Sequence, residues 1–401
     1  MLTSSAIARP IVHQLGASRI REVANAGIGR EQVLPFWFGE PDEATPTYIR
    51  EEAKRALDAG ETFYTHNLGL PVLRETISRY LSKLHGSIAP ERIAVTSSGV
   101  SALMLLSQLV INPGDRVVAV TPLWPNLIEI PKILGAEVIS VPLQFGRNPA
   151  APLWELDVEL LLAALTPGTR AVMLNSPNNP TGWVITRAQQ EIILAHCRLH
   201  GIWIMADDVY ERLVYDAPAG TSCAPSFLDI AAPDDLLISA NSFSKSWLMT
   251  GWRLGWVVAP ESIMADLGKL IEYNTSCAPG FIQRAGVLAI EQGDAIIDRT
   301  ITRYQAARDF LHGRLNALPG ITTPKPGGAM YLFFRVDGVT DTLELCKRLV
   351  READLGLAPG SAFGNEGEGY VRWCFASSIE RLDDGVQRLE KFMQQHFPLS
   401  R

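Results

Sequence analysis

A chain of 401 residues, 47% hydrophobic and 20% charged, is long enough for one large domain and a smaller one, with ample apolar material for a core. Its 36 basic and 43 acidic residues give a formal charge of −7, which favours solubility and offers no general attraction to nucleic acid or to an anionic membrane surface. The five cysteines, Cys197, Cys223, Cys277, Cys346 and Cys374, are odd in number, widely spaced and without a CxxC pair, as expected for a reducing compartment rather than a disulfide framework.

Met1 to Gly29 mixes Arg9, Arg19, Arg21 and Glu22 into short apolar stretches and lacks the apolar core of a signal peptide, so a cytoplasmic location is expected. The opening segment has little pattern of its own and is expected to pack on the smaller domain. A helix from Tyr48 to Ala59, stopped by Gly60, begins the larger one. From about residue 90 to 260, apolar β-branched runs alternate with helical runs that end at glycine, the pattern of βαβ units and a mostly parallel sheet. The strands are expected over 92–96, 116–120, 136–143, 170–175, 202–206, 236–240 and 254–259, and the helices over 99–110, 126–134 and 187–200. The apolar stretch from Val100 to Ile111 carries Ser101, Ser107 and Gln108 and is too short for a membrane span, which needs about 20 apolar residues. After Gly286 the texture changes to long helical periods (294–318, 342–353, 379–396) around two strand-like runs, 330–336 and 370–376, as in a small α+β domain.

Three loops fall at expected C-terminal strand ends, where open parallel sheets bind their ligands. They are Ser176-Pro177-Asn178-Asn179-Pro180-Thr181-Gly182, then Asp207-Asp208-Val209-Tyr210, then Ser242-Phe243-Ser244-Lys245 followed by Gly251-Trp252-Arg253. Singly each reads as a turn. Together, and with Phe38-Gly39-Glu40-Pro41-Asp42, Tyr64, Gly69-Leu70-Pro71-Val72-Leu73-Arg74, Thr96-Ser97-Ser98-Gly99, Pro359-Gly360-Ser361-Ala362-Phe363-Gly364 and Tyr370-Val371-Arg372, they make a chain that resembles the class I/II aminotransferases of the aspartate aminotransferase type. The Ser-x-x-Lys with an arginine eight positions later is the most specific element of the match.

The resemblance implies an α/β protein of fold type I, with a large domain on a mostly parallel seven-stranded sheet and a small α+β domain. Residues 1–45 would pack with the small domain, 46–290 would form the large one and 291–401 the small one. It implies pyridoxal 5′-phosphate as cofactor, held covalently by Lys245, whose amine then shuttles a proton. Asp207 would pair with the pyridine nitrogen, and Asp208, next along the strand, would point to the other face. Tyr210 and Asn179 would meet the phenolic oxygen. Ser98, Gly99 and Val100 at a helix start, with Ser242, Ser244 and Arg253, would cradle the phosphate. Trp124 would stack on the ring, Arg372 would grip the substrate α-carboxylate, and Gly39 would bring its backbone to that carboxylate. Tyr64, with Ser276 beside it in the scheme, would reach the phosphate of a neighbouring subunit, which requires a homodimer.

The implied activity is transfer of an amino group from an L-amino acid to a 2-oxo acid. A carbon–sulfur lyase of the same fold is the alternative, and a regulatory cofactor-binding domain is disfavoured by the retention of Lys245, Asp207 and Arg372. Phe36-Trp37-Phe38 beside Gly39 hints at an apolar side-chain pocket. Glu272, Tyr273 and Asn274 stand near Ser276 where a dicarboxylate-specific relative would carry an arginine. His196 and His200 have i, i+4 spacing, but Cys197 stands where a metalloprotease would have glutamate, so no metal is expected.

Overall fold

A computed structural model describes residues 8–146, 153–216 and 220–397; the first seven residues of the opening segment, read above with Met1 to Gly29, lie outside them, as do the last four of the chain. The large sheet has seven strands in the spatial order 93–96, 255–258, 237–242, 203–207, 169–175, 116–121 and 137–142. Every pairing is parallel except those of Gly255–Val258, which runs antiparallel to both neighbours. Trp203–Asp207 and Leu237–Ser242 are buried at every position, which is why they read as apolar runs without alternation.

The helices Gly99–Val110 and Arg187–His200 have the expected bounds. The second is fixed at both ends by local chemistry: Thr186 and Gln189 satisfy each other's backbone N–H groups at its start, and Gly201 takes the left-handed conformation (φ 64°) at its end. Other bounds shift slightly. Pro90–Arg92 forms a 3-10 turn, so the first strand starts at Ile93 rather than Arg92. The strand read as ending at Ala206 extends to Asp207, and its neighbour continues to Ser242, which carries both chemistry-bearing loops further along the sheet edge.

The second sheet is antiparallel, in the order 321–322, 331–336, 370–374 and 358–359, with helices Asp294–Asn316, Thr342–Ala353 and Ile379–His396 around it. The strand expected to run to Ala376 stops at Cys374. Its last two residues still bond, Phe375 N–H to the Met330 carbonyl (3.0 Å) and the Ala376 carbonyl to Asp42 N–H (3.1 Å). The opening segment runs beside this second sheet, where the Phe36 carbonyl accepts from Cys374 N–H (3.2 Å). Leu34–Pro35 pairs in parallel with Leu355–Gly356, and the Trp37 ring lies so close to Gly356 that a Cβ there would stand 2.2 Å from it. Arg303 on the long helix ties down Asp42 (2.6 Å) and Glu43 (2.8 Å). The chain from Phe38 to Gly39 is thereby led to the gap between the two sheets.

Candidate active site

A cavity of about 240 Å³ opens between the sheets. The large sheet supplies Asp207, Val209 and Tyr210, with Lys245 on the turn after Leu237–Ser242; the second sheet supplies Tyr331 and Arg372; the opening segment supplies Ile20, Phe38 and Gly39. The remaining wall includes Gly99, Val100, Trp124, Asn179, Ser242, Ser244 and Arg253, so nearly every residue singled out in the sequence faces one space. Three of the cofactor-side residues, Ser98, Tyr64 and Ser276, do not reach the wall, and Ser276 Oγ donates instead to the Glu272 carbonyl (3.4 Å). Ser98 is buried but its hydroxyl caps the helix Gly99–Val110 by accepting from Ser101 N–H (3.0 Å). Tyr64 is 89% exposed on the outer surface.

Lys245 donates from Nζ to the Gly39 carbonyl (2.6 Å), and its ammonium position lies 5.6 Å from the centre of the Tyr210 ring. Burial in the cavity pulls its pKa down to about 8, and the guanidinium groups of Arg372 and Arg253 push the same way. A sizeable share of neutral amine at physiological pH suits a nucleophile and proton carrier. Asp207 ends a strand buried on both faces. Burial raises its pKa to about 7, and the neighbouring Asp208 charge adds to the rise, against the Val209 N–H and Lys245. Its Oδ1 has no hydrogen-bond partner among the described residues. Asp208 turns to the other face, as expected, and accepts from Ser239 Oγ (2.6 Å).

Arg372 is 2% exposed and has no carboxylate partner among the described residues. Its Nη1 donates to Asn179 Oδ1 (3.0 Å), its Nη2 donates to the Trp37 carbonyl, its Nε is unpaired, and its guanidinium lies between the rings of Tyr331 (4.5 Å) and Phe363 (4.9 Å). A buried cation held only by dipoles and π-faces retains its attraction for an incoming anion. At the other end of the cavity the N–H groups of Gly99 and Val100 open a helix and have no intrahelical acceptor. Ser98 just before them holds φ 148°, ψ 164°, a strained backbone for a residue with a side chain. Gly255 is needed behind that turn, since a Cβ on it would come 2.7 Å from Gly99 N. Ser242 Oγ and Ser244 Oγ are 2.8 Å apart beside the same turn, and Arg253 sits in the left-handed region (φ 54°) with Nη1 on the Thr250 carbonyl (2.7 Å).

An unpaired buried carboxylate oxygen, free N–H groups with hydroxyls and a guanidinium, and a buried lysine match three of the polar groups of pyridoxal phosphate: ring nitrogen, phosphate and aldehyde. The chain's own orphaned atoms fit that group.

Sequence reasoning missed Tyr331, Val209, Leu103 and Ile20 on the wall. Tyr331 sits in a run of apolar strand residues, and nothing in the pattern separates it from core. Of Phe36-Trp37-Phe38 only Phe38 reaches the cavity; Phe36 packs on Trp373 (5.2 Å between ring centres) and Trp37 on Gly356. His196 bonds the Leu165 carbonyl (2.8 Å) with its ring 4.5 Å from that of His200, and no group of three metal-ligating side chains occurs among the described residues.

Comparison with known proteins identifies the family. The family model described as aminotransferase class I and II matches residues 31–389. An aspartate aminotransferase from Pyrococcus horikoshii is 34% identical, covering 94% of this chain and 95% of its own. An aromatic-amino-acid aminotransferase from Thermococcus litoralis is 33% identical, covering 96% and 97%. A crystal structure of aspartate aminotransferase from Thermotoga maritima superposes with a TM-score of 0.87 at 33% identity, over 96% of this chain and all of that one (100%). The chain therefore belongs to the class I and II aminotransferases and is a pyridoxal-phosphate-dependent transferase of amino groups.

Proposed function

We propose that the enzyme takes an L-amino acid with an apolar or aromatic side chain as donor and passes its amino group to a 2-oxo acid. One observation carries this reading. The charged residues on the cavity wall among those described are Asp207, Lys245, Arg253 and Arg372, and each already has a task in handling cofactor or α-carboxylate. What remains for a substrate side chain is Ile20, Phe38, Leu103, Val209 and Tyr331, none of which offers a cation to a second carboxylate. A desolvated, unpaired carboxylate there would cost several kcal/mol, on the order of 3 or more.

In this reading Arg372 binds the α-carboxylate with its free Nε and Nη edge, beside Asn179 and the backbone of Gly39. Lys245 holds the cofactor and, once released, moves the proton at the substrate Cα. Asp207 would keep a proton on the ring nitrogen, Tyr210 and Asn179 would face the phenolic oxygen, and Trp124 would lie on the ring. Gly99, Val100, Ser242, Ser244, Arg253 and the helix capped by Ser98 would hold the phosphate. The bound cofactor supplies an aldehyde carbon for the amino group and a ring that draws electrons from Cα.

The unit that works is a homodimer in the cytoplasm. Phe63, Tyr64 and Tyr273 are 84%, 89% and 90% exposed, and the segments that carry them pack on each other, with Asn67 Nδ2 on the Gly268 carbonyl (3.1 Å) and Thr65 N–H on Cys277 Sγ (3.4 Å). Such an aromatic surface fits a second copy, with Tyr64 reaching the neighbour's phosphate. The five free cysteines fit a reducing compartment. Segments 1–45 and 291–401 form one unit around the second sheet in this scheme, and 46–290 the other.

The test is a donor panel with purified holoenzyme and no acceptor, read by loss of the aldehyde-form absorbance. Phenylalanine, leucine and similar donors should convert the cofactor at concentrations at which aspartate does not. Preferential conversion by aspartate or glutamate refutes the substrate class, and ammonia and pyruvate release would indicate elimination instead.

A further inference from the structure

Tyr331 opens the strand Tyr331–Val336 and is 1% exposed, yet it lies on the cavity wall. Its hydroxyl is 2.6 Å from that of Tyr210, with the two rings edge-on at 5.7 Å between centres. Its ring lies beneath the Arg372 guanidinium at 4.5 Å. Space for the hydroxyl is made by Gly39, where a Cβ would stand 1.9 Å from it. A phenylalanine would have filled the apolar strand equally well, as Phe333 and Phe334 do two and three positions on. The polar group is therefore paired and accommodated rather than incidental.

Burial holds both phenols well above their usual pKa, so each keeps its proton at neutral pH. Two neutral hydroxyls in contact have one proton each, and only one of those protons can lie between them. If Tyr210 gives its proton to Tyr331, it has none left for the cavity. If Tyr331 gives its proton to Tyr210, then Tyr210 is free to donate inward. Only the second arrangement is compatible with the role of Tyr210 given above.

We propose that Tyr331 is a positioning residue that donates to the Tyr210 oxygen and so commits the Tyr210 proton to the phenolic oxygen of the cofactor. The inference rests on the cofactor reading of this cavity. Accepting one hydrogen bond also makes Tyr210 a stronger donor in the next. A stronger donor favours the negative phenolic oxygen and so the unprotonated form of the lysine-bound cofactor. The stack of Tyr331 under Arg372 places this relay in contact with the carboxylate-binding group.

The experiment is a pH titration of holoenzyme absorbance for the wild type, Tyr331→Phe, Tyr210→Phe and the double variant, with thermal unfolding as the folding control. Tyr331→Phe keeps the ring under Arg372 and should melt with the wild type. Its colour-change midpoint should rise by about half a pH unit, the size expected from losing one neutral hydrogen bond's influence. Tyr210→Phe should shift further in the same direction, and the double variant should titrate like Tyr210→Phe alone. An unchanged midpoint in Tyr331→Phe, or shifts that add in the double variant, would overturn the proposal. Should Tyr331→Phe fail the folding control, Gly39→Ala, which displaces the hydroxyl without deleting it, must raise the midpoint, and no rise overturns the proposal as well. Wild-type protein that never forms a lysine-bound, pH-sensitive chromophore would instead remove the cofactor reading beneath it.

Discussion

Asp207 ends a strand that has no solvent on either face and Asp208 follows it, and both are pushed up to about 7, chiefly by burial. Asp207 is therefore a poor element of the apoprotein, and under the proposed function its bare Oδ1 would answer a cationic ring nitrogen. The sign of the pH effect follows. An unfolded aspartate titrates near 3.8 and the folded one near 7, so the folded state binds the extra proton between those values. Its stability contribution is whole below the lower value and is lost as pH rises through the upper one. Apoprotein carrying Asp207→Asn escapes that loss. It should melt above wild-type apoprotein at pH 8, by an amount on the order of 2 kcal/mol, with the advantage narrowing toward pH 5. Scanning calorimetry of cofactor-free protein across that range checks it; an advantage that is constant with pH would assign the effect to packing. At this scale the sequence was most informative where a charged residue sat in apolar surroundings. Arg372 between Val371 and Trp373 announced a buried cation, and Lys245 was marked by Ser242, Ser244 and Arg253. Tyr331 was opaque because a tyrosine in a strand looks the same whether its hydroxyl meets solvent, core or a second tyrosine.

Secondary elements matter here through their ends. Parallel strands 169–175, 203–207 and 237–242 stop at one edge, so three loops far apart in sequence converge on one cavity. The strand positions were legible because burial on both faces removes alternation and leaves apolar runs. Strand order and the reversal of Gly255–Val258 were not, because an apolar run carries no sign of its direction. That reversal has a use. Gly255 pairs with Thr96 on one side and Ser242 on the other, so the strand links the turn before the helix Gly99–Val110 with the loop that carries Lys245. A methyl group at Gly255 would press on Gly99 N and the Asn241 carbonyl, both 2.7 Å from the new Cβ. Neither is a flexible side chain, so the turn itself must move. Gly255→Ala should weaken pyridoxal phosphate binding at least about tenfold, the equivalent of roughly half of one charge-assisted hydrogen bond. Apoenzyme titrated with cofactor, followed by tryptophan fluorescence, measures this. Unchanged affinity in a folded variant would mean that the cradle does not depend on this contact.

For the molecule as a whole, the cavity is built from both sheets and the opening segment, while one proposed phosphate contact, Tyr64, is turned outward. No described helix is long and apolar enough to cross a membrane, and Phe63, Tyr64 and Tyr273 are exposed. A second copy places Tyr64 against a neighbour's phosphate only if it acts in trans, and two inactive chains can decide that. Lys245→Ala subunits lack the covalent anchor and Tyr64→Ala subunits lack the donated hydroxyl. In a hybrid of the two, the site with an intact Lys245 belongs to the Tyr64→Ala subunit and receives Tyr64 from its partner, so it is complete. Equal mixing under conditions that exchange subunits makes half of the dimers hybrids, each with one working site of two, and should restore roughly a quarter of wild-type turnover. Were Tyr64 to serve its own chain, every intact Lys245 in the mixture would sit beside a missing Tyr64, and activity would stay at the mean of the two parents.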